Sequence, residues 1–539
     1  MTRANARATC SAGRRLIALG LFGLAVACQP VEDNVFELVG LQLSLEPLRV
    51  AEGVGVVSIP VRLTRLASQE IAVSYHAVAV TAQNDCQVPD FEAASGRLVW
   101  PVGESVATLQ IWIQDDTLAE TDERLKLVFD DAQGTLLGRT AELELEISDD
   151  DRTDLIDARA RFGVIPDSPL DQSRALQAAL DAAAESARGV VVLADGDYQI
   201  TSVSLHPGTT LSARRAELHR PAHSAPDVKT LTVDHSGSAD SAATLIEGVK
   251  VDGQREQQGA YRGYERDSAN LIVVGGDPTL PGRLQIYLET LSVRSGTGDG
   301  IFVGSNVDGN FCHLQGDDLW RDMLSVRGGN TRLRVRGLDA TASAGKTGLW
   351  FDGGTPGYLG SHHLDLEIED VRLKTGDLEI DVSDASQVTV KHLVMTEPPF
   401  RLVAPSSSVI ISDSVIIAGI RAPSQNYWGP FQDVQIRNST LRIAESDDTG
   451  TAQKTTETVE ADRLLTPVLV QWPPAPTALG NLLIEGCRFE QAGDVEAADT
   501  LYAVSSPGAG PTVRIASSVL SPAFKAWFAP GCADCQAGP

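Results

Sequence analysis

Residues 284–303 (LQIYLETLSVRSGTGDGIFV), 312–330 (CHLQGDDLWRDMLSVRGGN) and 333–354 (LRVRGLDATASAGKTGLWFDGG) decide the fold, because they repeat one pattern. Each has a short alternating strand, a corner rich in Gly, Asn or Asp, a second short apolar strand and a Gly-rich exit. A repeat of roughly 21–26 residues is the length of one coil of a solenoid. Aligning the three segments predicts that the stretches beginning at Asp299, Asp322 and Thr347 stack directly above one another.

The same template recurs along the rest of the chain, so the inward positions of stacked coils should fill one continuous core. An unusually long interval between two copies holds a polar insert at about 444–478, which we interpret as a loop. We predict a parallel β-helix over residues 154–525 and a tail at 526–539. Further copies begin at Leu366, Val388, Val409, Val434, Leu482 and Val513.

Length and charge limit the class of protein. A chain of 539 residues is too long for one ordinary core, so two or more domains are expected. The 44 Lys and Arg residues are outnumbered by 72 Asp and Glu residues, which gives a net charge of −28. This excess argues against a nucleic-acid partner and against unaided binding to anionic membranes, whereas it is compatible with bound divalent cations.

The N-terminus has the features of an export signal. A basic pair precedes an apolar run that is too short to span a membrane as a stable helix. The run ends in Leu24-Ala-Val-Ala-Cys28, which resembles a bacterial lipobox. The resemblance implies removal of residues 1–27, lipidation of Cys28 and a linker over 28–35. Because no Asp follows the cysteine, it implies a lipid-anchored cell-envelope protein, at the outer membrane or cell surface. A plain secretory signal is the alternative.

Export permits disulfides among the remaining cysteines. Cys312 and Cys487 fall at inward strand positions, so we predict that both are small core residues. Cys532 and Cys535 lie close enough in sequence to close a small loop, and a single pair of this kind is weak evidence for zinc.

Residues 36–151 alternate apolar and polar side chains in about seven short runs separated by turn signals, which predicts an antiparallel β-sandwich. Acidic residues concentrate at the strand ends and loops, which such a sandwich brings to one pole. These carboxylates would repel one another unless a hard cation lay among them, and calcium, which prefers about six to eight oxygen ligands, suits the site. The acidic residues are Glu52, Asp90, Asp115, Asp116, Glu120, Glu123, Asp149, Asp150 and Asp151.

Several motifs make this domain similar to the Calx-β domain, the calcium-binding module of sodium–calcium exchangers. They are Ala51-Glu-Gly, Gly96-Arg-Leu-Val-Trp, Asp115-Asp-Thr-Leu-Ala-Glu-Thr-Asp-Glu123 and Ser148-Asp-Asp-Asp151. The resemblance implies that the acidic residues named above are ligands of Ca²⁺. A spacer domain whose acidic residues only increase solubility is the alternative.

Residues 154–218 predict a cap on the β-helix. An amphipathic helix begins with Asp171 or Ser173 as its N-cap and is followed by a buried strand at Gly189-Val-Val-Val-Leu. This order resembles the N-terminal cap of pectate-lyase-like right-handed β-helices, a group that includes polygalacturonases. The resemblance implies an all-β chain, in which the sandwich is followed by a right-handed single-stranded parallel β-helix with an N-terminal capping helix.

Two acidic residues precede the same short strand on successive coils. Asp299 and Asp322 would lie on coils about 4.8 Å apart, so their carboxyls should interact and one pKa should rise. A carboxylic acid beside an ionised partner is the usual arrangement for cleaving a glycosidic bond. The layout resembles that of polygalacturonases, although their second Asp and their His are not matched here. Elimination would need a basic residue and a charge neutraliser instead, and Arg321 or Lys346 could serve.

Outward side chains on the same strands should form a strip along the body. Aromatic faces there could bind sugar rings, while polar neighbours would bind hydroxyl groups. On later coils, Glu379 or Asp381 and then Arg401 fall near the same column. The candidate substrate-binding residues are Trp350, Phe302, Trp320, Lys346 and Asp352.

Two functions fit these features. The first is a surface-tethered enzyme that cleaves a polysaccharide by hydrolysis or elimination, with Asp299, Asp322 and Arg321 as catalytic residues. The second is a non-catalytic adhesion or glycan-binding protein, because Asp and Gly before an inner strand are also ordinary turn residues. Either would have a polysaccharide or cell-surface glycan as its partner, and the oligomeric state stays open.

Overall fold

The structure is a computed structural model of the 539-residue chain. Within the residues that it describes, no helix is long and apolar enough to cross a membrane. It describes residues 41–42, 48–83, 86, 89–137, 141–225, 228–258, 269–342, 348–352, 363–375, 378–382, 385–396, 400–420, 428–445, 481–492, 501–504, 512–516, 518–520, 526–528 and 536–537. The proposed signal peptide with Cys28, the pair Cys532 and Cys535, and most of the insert at 444–478 lie outside these residues.

The N-terminal domain is a β-sandwich of two sheets around a shared apolar core. Alternate residues of each strand face this core, as in Val56–Leu63, where every second side chain is buried. The sequence predicted an antiparallel sandwich. Its strand pairs are antiparallel except that Leu48–Ala51 pairs parallel with Glu142–Ser148. One sheet has the order Leu41–Gln42, Val56–Leu63, Val106–Trp112, and the other Leu48–Ala51, Glu142–Ser148, Glu123–Gln133, Ile71–Ala79, Ser95–Trp100. A 3₁₀ turn covers Glu52–Val54.

The rest of the described chain is a parallel β-helix with three faces, which confirms the predicted architecture. Face A stacks Asp154–Asp157, Gly189–Val192, Thr210–Ser212, Thr244–Glu247, Leu284–Glu289, the first parts of Val307–Leu319, Thr331–Ala342, Leu364–Thr375 and Gln387–Met395, the last parts of Phe400–Ser412 and Trp428–Arg437, then Asn481–Glu485, Thr512–Ala516 and Gln536–Ala537.

Face B stacks Ser168–Asp171, Gly196–Gln199, Ala216–His219, Lys250–Asp252, Ser292–Arg294, the last parts of the four long strands from Val307–Leu319 to Gln387–Met395, then Val415–Ile420, Thr440–Glu445, Arg488–Ala492 and Val519–Leu520. Face C stacks Val203–Leu205, Leu231–His235, Ile272–Gly276, Ile301–Val303, Leu324–Val326, Leu349–Asp352, Leu378–Asp381 and the first parts of Phe400–Ser412 and Trp428–Arg437.

The corner between faces A and B is a single residue in the left-handed region. The φ of this corner residue lies between 49° and 58° on five coils, at Thr290, His313, Asp370, His392 and Asn438. Asn, Asp and His tolerate positive φ better than other L-residues. This tolerance explains why polar residues recur between the apolar segments of the repeat. The repeat therefore reflects one backbone bend that recurs at each coil.

The predicted register of the three opening coils is confirmed. Ile301 pairs with Leu324, and Leu324 with Leu349, while Val326 pairs with Phe351. All five side chains are at most 1% exposed and belong to one continuous core. Burial of every inward side chain is the main stabilising contribution of each added coil.

A helix at Ser173–Glu185 caps the coil, as predicted, after a shorter helix at Ala158–Phe162. The N-cap position belongs to Gln172, whose side chain makes no capping hydrogen bond. The predicted N-cap was therefore displaced by one residue. Asp171 still satisfies this helix end, because its Oδ1 accepts a hydrogen bond of 2.9 Å from the backbone N–H of Ser173.

A disulfide joins the two domains. Cys86 of the sandwich is bonded to Cys312 of face A, with a Cα–Cα distance of 5.8 Å. The prediction that Cys312 is only a small core residue was therefore wrong, since alternation along a strand does not reveal which face another domain covers. Cys487 is a buried free cysteine, as predicted.

The predicted tail contains ordered strands. Ala526–Phe528 pairs with Leu501–Val504, and Gln536–Ala537 adds to face A through Arg514 and Ile515. These short strands lie within the tail predicted at 526–539. The backbone N–H and C=O groups at the edge of the last coil can pair with a short strand even when its sequence shows little alternation.

Candidate functional site

Face C carries the predicted outward column. Phe302, Ser325, Trp350 and Glu379 are consecutive partners in its register, and Arg401 follows Glu379. Phe302 and Trp350 are half-buried, whereas Ser325 between them is fully buried. The structure thus brings the sequence-predicted aromatic and acidic residues into one lengthwise row, because equivalent positions of stacked coils lie about 4.8 Å apart.

A second polar column runs beside the first, two residues further along each strand, where alternation again turns the side chains outward. It contains Arg327, then Asp352, which pairs with Asp381 on the next coil. The Nε of Arg327 lies 3.9 Å from Oδ2 of Asp352. The sequence analysis did not identify Arg327 as a candidate site residue. The register could have identified it, because Arg327 follows Val326 as Asp352 follows Phe351. We call the two columns together the face C strip.

Trp350 is covered by cations. The guanidinium carbon of Arg327 lies 3.5 Å from the centroid of its ring, and that of Arg321 lies 5.4 Å away. Such stacking supplies cation–π attraction and fixes the indole plane. The guanidinium groups of Arg327 and Arg321 therefore cover part of the Trp350 ring, which the sequence analysis had expected to be an open platform for a sugar ring.

Two donors on the strip lack acceptors. Nε1 of Trp350 and Nε of Arg327 are both buried and have no hydrogen-bond partner among the described residues. Buried donors of this kind cost free energy unless an oxygen satisfies them. Hydroxyl or carboxylate oxygens of a bound ligand would do so.

Three carboxylates adjoin these donors. Partial burial, together with the charges of Asp352 and Glu379, raises the pKa of Asp381 to about 6. Asp381 thus holds its proton in mildly acidic conditions beside neighbours that can stay ionised. A carboxylic acid next to a carboxylate is a pair that general acid–base chemistry uses.

Asp299 and Asp322 lie together as predicted, but below the surface. Their side chains are 0% and 1% exposed. Arg321 spans them, with its Nε 3.6 Å from Oδ1 of Asp299 and its NH2 group 4.0 Å from Oδ2 of Asp322. Asn270 fixes this corner by accepting a 3.0 Å hydrogen bond from the backbone N–H of Asp299. The pair is thus buried just before the face C strands Ile301–Val303 and Leu324–Val326 and does not meet solvent.

The other predicted substrate-binding residues are placed differently. Trp320 lies against Arg255, whose guanidinium carbon is 5.9 Å from the ring centroid. Its backbone N–H donates to the carbonyl oxygen of Gly296 at the corner between faces B and C, so Trp320 is not part of the face C strip. Lys346 lies outside the described residues.

The acidic residues of the sandwich meet at one pole, as predicted. Oxygens of Glu52, Asp116 and Glu120 lie within 4.8 Å of one another, and so do oxygens of Glu52, Asp149 and Asp151. The 3₁₀ turn after Ala51 points Glu52 into the centre, where it is 3% exposed. We call this group the acidic pole.

Asp115 and Asp150 lie on the exposed rim of the acidic pole. Their oxygens are 3.5 and 3.4 Å from the position that a Cβ on Gly53 would occupy. A side chain at Gly53 would therefore intrude on both carboxylates.

Calcium fits the acidic pole. Burial and then the charges of Asp116 and Asp149 raise the pKa of Glu52 to about 8, and burial raises that of Asp116 to about 6. Carboxylates held this close, with oxygen as the only donor type, are the ligand chemistry that Ca²⁺ prefers. When bound, the cation would supply the positive charge that this group of acids needs in order to ionise.

Asp90 and Glu123 belong to a separate part of the pole. They share a hydrogen bond, and the backbone N–H of Gln83 donates to Asp90. Arg214 of the β-helix forms an ion pair with Glu123 and, at 2.6 Å, with Glu247. These two predicted ligands thus lie at the contact between the domains, which the sequence could not indicate.

Comparisons with known proteins identify one family over the sandwich. The family described as Calx-beta domain matches residues 37–151. The crystal structure of the apo-form Calx CBD1 domain is 24% identical with a TM-score of 0.20, and the match covers 21% of this chain and 100% of that one. No curated protein matches the chain.

Solved β-helix structures also match. The A-module of the mannuronan C-5 epimerase AlgE4 of Azotobacter vinelandii is 14% identical, with a TM-score of 0.39 and coverage of 72% of this chain and 100% of that one. The family 28 exopolygalacturonase of Yersinia enterocolitica is 10% identical, with a TM-score of 0.33 and coverage of 89% and 97%. The family model identifies residues 37–151 as a Calx-beta domain, and the strand pairing shows that a parallel β-helix follows it.

Proposed function

We propose that this protein binds a polysaccharide along the face C strip and that its Calx-beta domain is a calcium-binding module attached to the β-helix. The observation that carries the first part is the pair of buried donors, Trp350 Nε1 and Arg327 Nε, which have no acceptor among the described residues. Asp352, Glu379 and Asp381 beside them supply acceptors. Donors and acceptors that lie side by side in two straight columns suit the repeated hydroxyl groups of a glycan chain.

The strip does not require an anionic glycan. The net charge of −28 and the three strip carboxylates disfavour a polyanion unless cations bridge the two. We therefore propose a neutral polysaccharide as the first substrate class to test.

Cleavage is a second candidate function. Asp381, with its pKa raised to about 6, lies beside Asp352 and Glu379 on the surface of the strip. Asp381 would donate a proton to the leaving oxygen while an ionised neighbour activates water or stabilises the developing positive charge. Asp299 and Asp322, predicted as the catalytic pair, would first have to become accessible.

The binding proposal is tested by measuring glycan affinity on a panel of neutral and uronic polysaccharides. Trp350→Phe keeps the ring but removes the N–H donor, and Arg327→Ala removes the second donor. Loss of a hydrogen bond from a charged donor should weaken binding by about tenfold or more. Trp112→Phe is the matched control, because Trp112 is an exposed tryptophan of the sandwich.

Equal losses in Trp112→Phe and Trp350→Phe, or no binding across the panel, would refute the assignment of the strip. Reducing-end release and absorbance of unsaturated sugars, measured on the same panel with wild type and Asp381→Asn, separate binding alone from hydrolysis and elimination. Asp322→Ala tests the buried pair in the same assay.

The cellular location is part of the proposal. Lipidation at Cys28 would hold the soluble body at the cell envelope, at the outer membrane or cell surface, without any other membrane contact. Incorporation of labelled fatty acid into wild type but not into Cys28→Ser is expected. Equal labelling of the two proteins would contradict the lipid anchor.

A further inference from the structure

Two glutamates stack in a buried column of face A. Glu247 pairs in register with Glu289, and they are 4% and 7% exposed. Adjacent coils lie about 4.8 Å apart, so two like charges at this spacing repel strongly when buried. Further along the same column the order is Arg336, Glu369 and Lys391, in which opposite charges alternate. Between Glu247 and Lys391, two like charges are neighbours in this column at Glu247 and Glu289, where the sandwich packs.

Sandwich residues hold this pair in place. Nε2 of Gln83 donates a 3.0 Å hydrogen bond to Glu289, and the hydroxyl of Thr121 donates a 3.3 Å bond to Glu247. Arg214 neutralises Glu247 and Glu123 together, which leaves Glu289 facing the acidic pole. The Cys86–Cys312 disulfide lies one coil beyond Glu289, since Glu289 and Cys312 are register partners.

Glu120 faces Glu289 across the domain contact. Its side chain is 6% exposed. Among the described residues, the hydrogen bonds of Glu120 are made by its backbone N–H and its carbonyl oxygen and not by its carboxylate. After burial, the charges of Asp90 and Glu289 are the largest causes that raise its pKa. The same carboxylate lies within 4.8 Å of oxygens of Glu52 and Asp116. A buried carboxylate without a donor, between two groups of acids, marks a position for a cation.

We propose that Glu289 of the β-helix is a ligand of the divalent-cation centre of the sandwich, opposite Glu120, so that one bound Ca²⁺ joins the two domains. This inference rests on the proposed calcium binding of the acidic pole. The cation would replace the missing donor of Glu120 and relieve the repulsion between Glu247 and Glu289. Calcium affinity and domain docking are then linked, and each strengthens the other by the same factor.

The test is calcium titration by calorimetry on the oxidised, metal-free full chain. Glu289→Gln keeps the shape of the side chain and its contact with Gln83 but removes the charge. Its calcium affinity should fall by about tenfold or more, because affinity follows the number of charged ligands. Glu367→Gln is the matched control, since Glu367 is a face A glutamate of a later coil, outside the cluster. It should bind calcium as wild type does.

A second readout separates a ligand from a merely structural residue. Without metal, Glu289→Gln should melt at a higher temperature than wild type, because a buried repulsion is lost. With saturating calcium, its gain in melting temperature should be smaller than that of wild type. A structural role alone would lower both melting temperatures. Should Glu289→Gln not fold, as judged by circular dichroism, Glu289→Asp replaces it, with a weaker calcium affinity expected.

The outcomes separate the two proposals. If wild type binds no calcium, or if Glu52→Gln leaves binding unchanged, the calcium centre of the acidic pole is wrong. If wild type binds calcium and Glu52→Gln weakens binding while Glu289→Gln does not, only the shared ligand is wrong.

Discussion

The strongest prediction concerns the stability of the calcium-free protein as a function of pH. Glu52 is buried at the centre of the acidic pole, and its pKa is raised from 4.5 to about 8. A carboxyl whose folded pKa exceeds its unfolded pKa favours folding only while it is protonated. Its unfavourable ionisation therefore begins to lower stability above about pH 4.5, and the loss is complete near pH 8.

The magnitude follows from the shift. At about 1.4 kcal/mol per pH unit for a single proton, Glu52 alone should lower the free energy of unfolding by roughly 3 kcal/mol between pH 5 and pH 7. Calcium that binds only the folded state at about 100 times its Kd restores roughly 2.7 kcal/mol. The two effects are thus of similar size and opposite sign.

Differential scanning calorimetry in metal-free buffer, at pH 5 to 8 with and without calcium, measures both effects. The sandwich transition should shift to lower temperature as the pH rises, and calcium should reverse most of this shift at pH 7. Glu52→Gln is the control, because it keeps the neutral shape and should remove the part of the pH dependence that Glu52 contributes. An unchanged pH dependence in Glu52→Gln, or a transition that does not move with pH in wild type, would refute the reasoning.

Three further results are expected. Replacing Cys86 and Cys312 by serine removes the cross-link, so limited proteolysis should separate the domains faster, and equal cleavage rates would contradict a bridging role for this bond. Asp381 loses its proton as the pH rises through about 6, so any cleavage that uses it as the acid should decline over that range and be abolished in Asp381→Asn; a rate that does not change with pH would argue against this role. A Cβ on Gly328 would lie 2.0 Å from the backbone of Gly304 on the adjacent coil, so Gly328→Ala should destabilise the β-helix by about 1–3 kcal/mol in chemical denaturation, whereas an unshifted midpoint would contradict this close stacking.

The architecture could be predicted because it depends on local periodicity. Inward residues such as Ile301, Leu324 and Leu349 repeat at the interval of one coil, and a one-residue slip would expose all of them. The same register correctly placed Phe302 and Trp350 in one outward column. The acidic residues of the sandwich were likewise recognisable from their positions at strand ends, since strand direction sends alternate loops to one pole.

What the sequence could not give is which surfaces another part of the chain covers. Cys312, Glu247 and Glu289 occupy ordinary positions of face A, and only the packing of the sandwich turns them into a disulfide and a buried acidic cluster. Only the structure shows that Asp299 and Asp322 are buried at the start of the face C strands.

The sequence by itself thus determined the two domain types, the coil register and the identity of the acidic groups, because these follow from contacts between residues close in sequence or one repeat apart. Only the tertiary structure decided which carboxylates lie close to one another, to a guanidinium or to a shared proton. Those choices depend on distances of a few ångströms and on desolvation between domains, and residues such as Glu120 and Glu289, far apart in the chain, carry no local signal of either.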